Sequence, residues 1–100
     1  MKIQIRPRGM TLSGTQSVRL ERDLYLALAR FGDRIDRVIV EISEGEVAGL
    51  KLCEIEVRLR SRILKVESSD TDVCLAVEHA VQRVARSVSR AIEIEALLRR

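Results

Sequence analysis

The sequence predicts an α+β domain of order β-α-β-β-β-α, a four-stranded mixed sheet with two helices packed on one face. Three observations carry this reading. Apolar residues alternate in four short stretches, the period of half-buried strands, and recur at steps of three and four in two longer ones, the period of amphipathic helices. Turn-forming residues separate the stretches. A strand–helix–strand opening requires a right-handed crossover, so the first two strands are parallel and adjacent or nearly so, and two hairpins then add antiparallel strands. The second and third strands each have one continuous apolar side, so both helices must cover the same face.

Residues 1–8 alternate as the first strand, with Ile3 and Ile5 on one side and Lys2, Gln4 and Arg6 on the other, and Pro7 either stops it or marks an edge. Ser13 or Thr15 caps a first helix from about Thr15 to Phe31. Leu20, Leu24, Ala27, Leu28 and Phe31 form its buried face, and Gly32 is placed to end it in a left-handed conformation. Residues 35–43 form the second strand, with Val38, Val40 and Ile42 to one side. Residues 50–60 form the third, with Cys53, Ile55, Val57 and Leu59 inward and Glu54, Glu56, Arg58 and Arg60 outward. Glu54 and Glu56, with Arg58 and Arg60 as neighbours on the same outward side, suggest cross-strand ion pairs instead of an acid/base dyad. Residues 63–67 make the fourth strand, and Ser68 to Asp72 supply a capping cluster for the last helix. That helix runs from Asp72 to Ala91 with Val73, Val77, Ala80, Val81, Val84 and Val88 along its core face. From Ile92 the apolar residues leave that face, so residues 92–100 form a helical tail that frays or meets a partner, beyond a core of residues 1–91.

One hundred residues make a single domain near the lower size limit of a self-sufficient core. Aromatics are only 2% of the chain, which argues against a protein that stacks nucleic-acid bases on aromatic platforms. Of 18 basic residues only Lys2, Lys51 and Lys65 are lysines. The rest are arginines, whose planar fork suits bidentate contact with phosphate or carboxylate. Cys53 and Cys74 read as small core thiols in a reducing cytoplasm, and no apolar run is long enough to span a bilayer.

On the last helix His79, Arg83, Arg86 and Arg90 follow one another at i, i+4, i+7 and i+11, a line of three guanidinium groups and an imidazole that no acid interrupts. Arg19, Arg22 and Arg30 give the first helix a second basic surface around Leu26. Two helices side by side turn both surfaces toward a common exterior. Enzyme chemistry is not expected. His79 has no predicted carboxylate or nucleophile partner, the cysteines lack zinc spacing, and the glycines sit in turns, so no catalytic residue, metal or cofactor is assigned.

Three segments resemble a known family. They are Met-Lys-Ile-Gln-Ile-Arg at residues 1–6 with Arg8 after it, Phe-Gly-Asp-Arg-Ile-Asp-Arg-Val at residues 31–38, and the passage from Glu67 through Asp70, Asp72, Cys74 and Glu78 to Arg83. They resemble, in order and spacing over residues 1 to 90, the short ribosome hibernation promoting factors and ribosome-associated inhibitor A, a family also known as sigma-54 modulation proteins. The resemblance implies a βαβββα domain that binds the small ribosomal subunit and its RNA near the decoding centre under stress. It places Arg22, Arg30, Arg83, Arg86 and Arg90 where the family has phosphate-binding cations. Two functions follow. One is a translation silencer whose arginines, with Arg19 and His79, contact ribosomal RNA. The other is a protein-interaction module that uses the apolar tail, Leu26 or an edge strand, for a homodimer or another protein, with little RNA binding.

Overall fold

The computed structural model describes residues 1–99. It contains β1 (Lys2–Arg8), α1 (Gly14–Leu28), a short 3-10 helix (Ala29–Arg34), β2 (Ile35–Glu44), β3 (Lys51–Leu59), β4 (Ile63–Asp70) and α2 (Val73–Leu98). The sheet order is β1-β2-β3-β4, with β1 parallel to β2 and the other pairs antiparallel. This is the α+β, βαβββα architecture that the periodicity predicts.

Local chemistry explains where the elements begin. Ser13 and Gln16 form a reciprocal capping box, each side chain bonding the other's backbone N–H at 3.0 Å, which satisfies two donors that the first turn of α1 leaves free. Asp72 caps α2 by accepting from the Cys74 N–H at 2.8 Å. Between helices and sheet lies a core of aliphatic side chains. Leu24 and Leu28 of α1, Val84 and Val88 of α2, and Val38, Val40 and Val57 of the sheet are sealed from solvent. Ala76, Ala80 and Ala91 on the core face of α2 keep that helix close to the strands. Each large aliphatic side chain buried there contributes about 1.5–3 kcal/mol.

Four local expectations are corrected. The first helix does not run regularly to Phe31 but tightens after Leu28 into the 3-10 segment, which buries the Phe31 ring while the chain reverses into β2. Within it Gly32 has φ 57° and ψ −134°, a positive φ as expected but an extended ψ instead of a left-handed helical one. The fourth strand extends past Glu67 to Asp70, because β3 continues to Lys51 and the Lys51–Asp70, Leu52–Ser69 and Cys53–Ser68 pairings satisfy its backbone. Finally, Cys74 is exposed instead of lying in the core.

Candidate nucleic-acid interface

The four basic residues of α2 stand in one exposed row. Its direction is fixed by Arg83, whose Nη1 donates to the backbone carbonyl of Glu67 at 2.8 Å, so the row faces the outer edge of β4 and turns away from α1. Among the described residues no ion pair within 4 Å engages His79, Arg83, Arg86 or Arg90. The charge of the three arginines is therefore available to a ligand, with part of the Arg83 fork already committed to the sheet edge.

The arginines of α1 are more dispersed. Arg19 lines a groove of 490 Å³ between the helices, beside Asp23, Cys74 and Glu78. Arg22 lies toward β1 with Met1, Ile3 and Tyr25, and its Nε is 3.9 Å from Asp23. Arg30 stacks over the Phe31 ring, 4.7 Å from its centroid, at the end of the molecule. All seven residues are exposed on the helical layer or its end, but they divide into one row on α2 and three separate positions on α1.

A further group of cations was not singled out from the sequence. On the open face of the sheet Lys2 is paired across to Arg37 and Arg37 to Arg58, a row of like charges over three adjacent strands. With Arg60 and Arg62 of the β3–β4 turn they line a shallow depression of 860 Å³ in which Asp36 is the acid. The alternation of β3 showed Arg58 and Arg60 pointing outward. Only the strand register brings Lys2 and Arg37 beside Arg58. The expected cross-strand ion pairs are also redistributed: Arg58 bonds Glu56 two residues away on its own strand at 2.8 Å, and the cross-strand partner of Glu56 is Lys65 at 3.6 Å. The Arg58 hydrogen bond holds the Glu56 carboxyl below its ordinary pKa.

The rest of the open face is acidic in its middle, where Glu41, Glu54 and Glu67 stand side by side on β2, β3 and β4. Cys53 is sealed in the core, and burial pushes its thiol up to about 12, which makes it a poor nucleophile or metal ligand at neutral pH. Among the described residues no group of three or more His, Cys, Asp or Glu could hold a metal ion, and no helix is long and apolar enough to cross a membrane.

No family model and no curated protein matches the sequence. Solved structures do. A ribosomal subunit interface protein from Coxiella burnetii superimposes with a TM-score of 0.82 at 17% identity, over 93% of this chain and 99% of that one. The N-terminal domain of Protein Y from Thermus thermophilus gives 0.77 at 25% identity, over 90% and 98%. The chain's structural neighbours are members of the ribosome hibernation factor family. The likeness in fold extends over nine-tenths or more of the chain. At these identities it resides in backbone path more than in particular side chains, so the arginines must be argued from their own geometry.

Proposed function

We propose that this chain binds the small ribosomal subunit through ribosomal RNA and silences translation, as a cytoplasmic binding protein active under stress and not as an enzyme. The observation that carries the reading is the row His79, Arg83, Arg86 and Arg90, exposed and without internal ion pairs among the described residues, on a fold shared with a ribosomal subunit interface protein. Arg19, Arg22 and Arg30 add cations on the neighbouring helix and its end. With Phe31 and Tyr25 outside the α2 row and His79 its one ring, the contact is mainly to phosphate and ribose, with little reading of sequence.

Co-sedimentation with vacant small subunits across a salt series tests this. Four to six neutralised phosphates give a log–log slope on the order of −3 to −5. The variant Arg86→Glu with Arg90→Glu should weaken binding and flatten the slope while leaving the melting temperature unchanged. Absence of small-subunit binding at low salt would refute the reading.

A second reading is favoured by the end of α2, where Leu97 is 63% and Leu98 80% exposed. An apolar helix end of this kind suits a homodimer or a protein partner. Leu97→Ser with Leu98→Ser would then abolish a salt-tolerant association and leave RNA binding intact, as read by sedimentation velocity.

A further inference from the structure

The α2 row and the cations of the open sheet face lie on different layers of the molecule, yet the path of the chain brings them together. From the Asp72 cap, α2 runs back along β4. Arg83 meets Glu67, and twelve residues later the Glu95 carboxylate accepts from the Ser61 hydroxyl in the β3–β4 turn. Arg86 and Arg90 therefore fall between these two points, beside the outer edge of β4. Arg83 to Arg90 covers about 10 Å of helix, and Glu67 to Ile63 about 13 Å of strand, so the row arrives at the turn that carries Arg60 and Arg62. On the other side of that turn begins the Lys2–Arg37–Arg58 row, whose strands are about 4.8 Å apart.

We propose that Arg60 and Arg62 join the α2 arginines to the Lys2–Arg37–Arg58 row in one cationic band around the edge of β4, and that an RNA backbone follows this band from the helical layer onto the open sheet face. The proposal rests on the RNA-binding reading above and extends its footprint to a second face.

Three features favour RNA as the occupant. Like charges placed directly across neighbouring strands oppose folding. The Lys2–Arg37–Arg58 row has one internal partner among the described residues, the Glu56 carboxylate on Arg58, so a polyanion supplies the compensation the fold does not. Apolar surface is scarce: Ile63 is 57% exposed, while Leu59 is buried beneath the turn. A protein partner would require an apolar interface centre, whereas nucleic-acid interfaces are polar and strongly positive. The band also curves around an edge, which suits a strand and not the flat surface of a membrane. Neither ring belongs to it, since Phe31 is buried and Tyr25 lies on the β1 side of α1, so the contact is to sugar and phosphate and not to stacked bases. The band ends at the carboxylate row Glu41–Glu54–Glu67, which repels a backbone straying along the strands.

The test uses vacant small subunits and two variants. Arg60→Gln with Arg62→Gln removes charge from an exposed turn whose closing bond, Leu59 N–H to the Arg62 carbonyl at 2.9 Å, involves backbone atoms only. The slope of log affinity against log salt should become shallower by about 1.5, since each lost phosphate contact removes roughly 0.7–0.9, and binding at low salt should fall about tenfold. In a Cys74→Ser background, Ile63→Cys places a single exposed thiol in register with Arg58 on the open face. An iron chelate attached there should cut ribosomal RNA in the complex. If the unmodified chain binds but the turn variant keeps its slope, or the tethered chelate cuts no RNA, the band is refuted and the helical contact stands. If the turn variant loses affinity while residue 63 cross-links to a ribosomal protein and cuts no RNA, the partner of the sheet face is a protein and the proposal fails. If the unmodified chain binds no subunits at any salt, both readings fail together.

Discussion

Cys53 and Cys74 show how much of a residue's fate the sequence conveys. The alternation of β3 marks Cys53 as inward, and it is fully buried, opposite Ser68 on the next strand. Cys74 lies seven residues before the buried Val81 and so on the same side of α2, but in the first turn nothing from α1 closes over it. A helical period gives the angle of a residue around the axis and not what stands opposite. A thiol reagent should therefore modify Cys74 at once and Cys53 only on unfolding. Cys53 also makes stability depend on alkaline pH. Its folded pKa of about 12 exceeds the ordinary 9.0, so its contribution is complete below pH 9 and is lost progressively as pH rises from there toward 12. Urea titrations at pH 8 and pH 10.5, compared with Cys53→Ala, should show this dependence in the native sequence alone. Gly32 is a second residue-scale case. A Cβ there would meet nothing within 4 Å, so Gly32→Ala is penalised by backbone conformation and not by collision. The expected loss is about 1–3 kcal/mol in chemical denaturation.

Among the elements, the strands were the most legible, because a two-residue period fixes both the existence of a strand and its buried side. Their ends were not. Ser68, Ser69 and Asp70 have poor strand propensity, and β4 extends through them because β3 offers backbone partners. The basic row of α2 was equally legible as a row, but its spacing could not show that Arg83 serves the sheet as well as a ligand. In the structure it covers a carbonyl on the free edge of β4, where an unpaired backbone group would otherwise invite another strand. Arg83→Gln and Arg86→Gln should therefore separate the two roles. The first should cost about 0.5–1.5 kcal/mol of stability through the weakened hydrogen bond. The second should stay within about 0.5 kcal/mol of the parent, as exposed positions without such a contact do. Urea denaturation gives both values. Equal losses would mean that the Arg83 bond contributes nothing to holding β4.

At the scale of the whole molecule the charges are polarised along its longest dimension, 49 Å. Both helices end near the start of β2 and the β3–β4 turn, where Arg34, Arg60 and Arg62 gather, and α2 begins at the opposite end beside Asp70 and Asp72, near Glu44 at the close of β2. At the N–H end of α2 the Asp72 carboxylate stands where the helix dipole favours an anion, whereas neither helix carries a basic residue in its own last turn, so the cations at the other end come from the adjoining turns. The sequence hides this arrangement because its members are remote in the chain: Lys2 and Arg62 share one depression across sixty positions. A formal net charge of +3 is a poor guide to such a protein. Binding should follow the charge at one end, since interactions between exposed charges fade over about 8 Å at physiological salt, while the nine steps of β2 from Ile35 to Glu44 span roughly 30 Å. Glu44→Gln with Glu46→Gln raises the net charge by two at the far end at the cost of one surface ion pair, Lys51–Glu44. It should leave the salt slope for small-subunit binding unchanged, whereas Arg60→Gln with Arg62→Gln, which lowers the net charge by two at the basic end, should flatten it. Opposite changes of equal size would show that the chain meets its partner as a uniformly charged body, and the assignment of the contact to the basic end would be wrong.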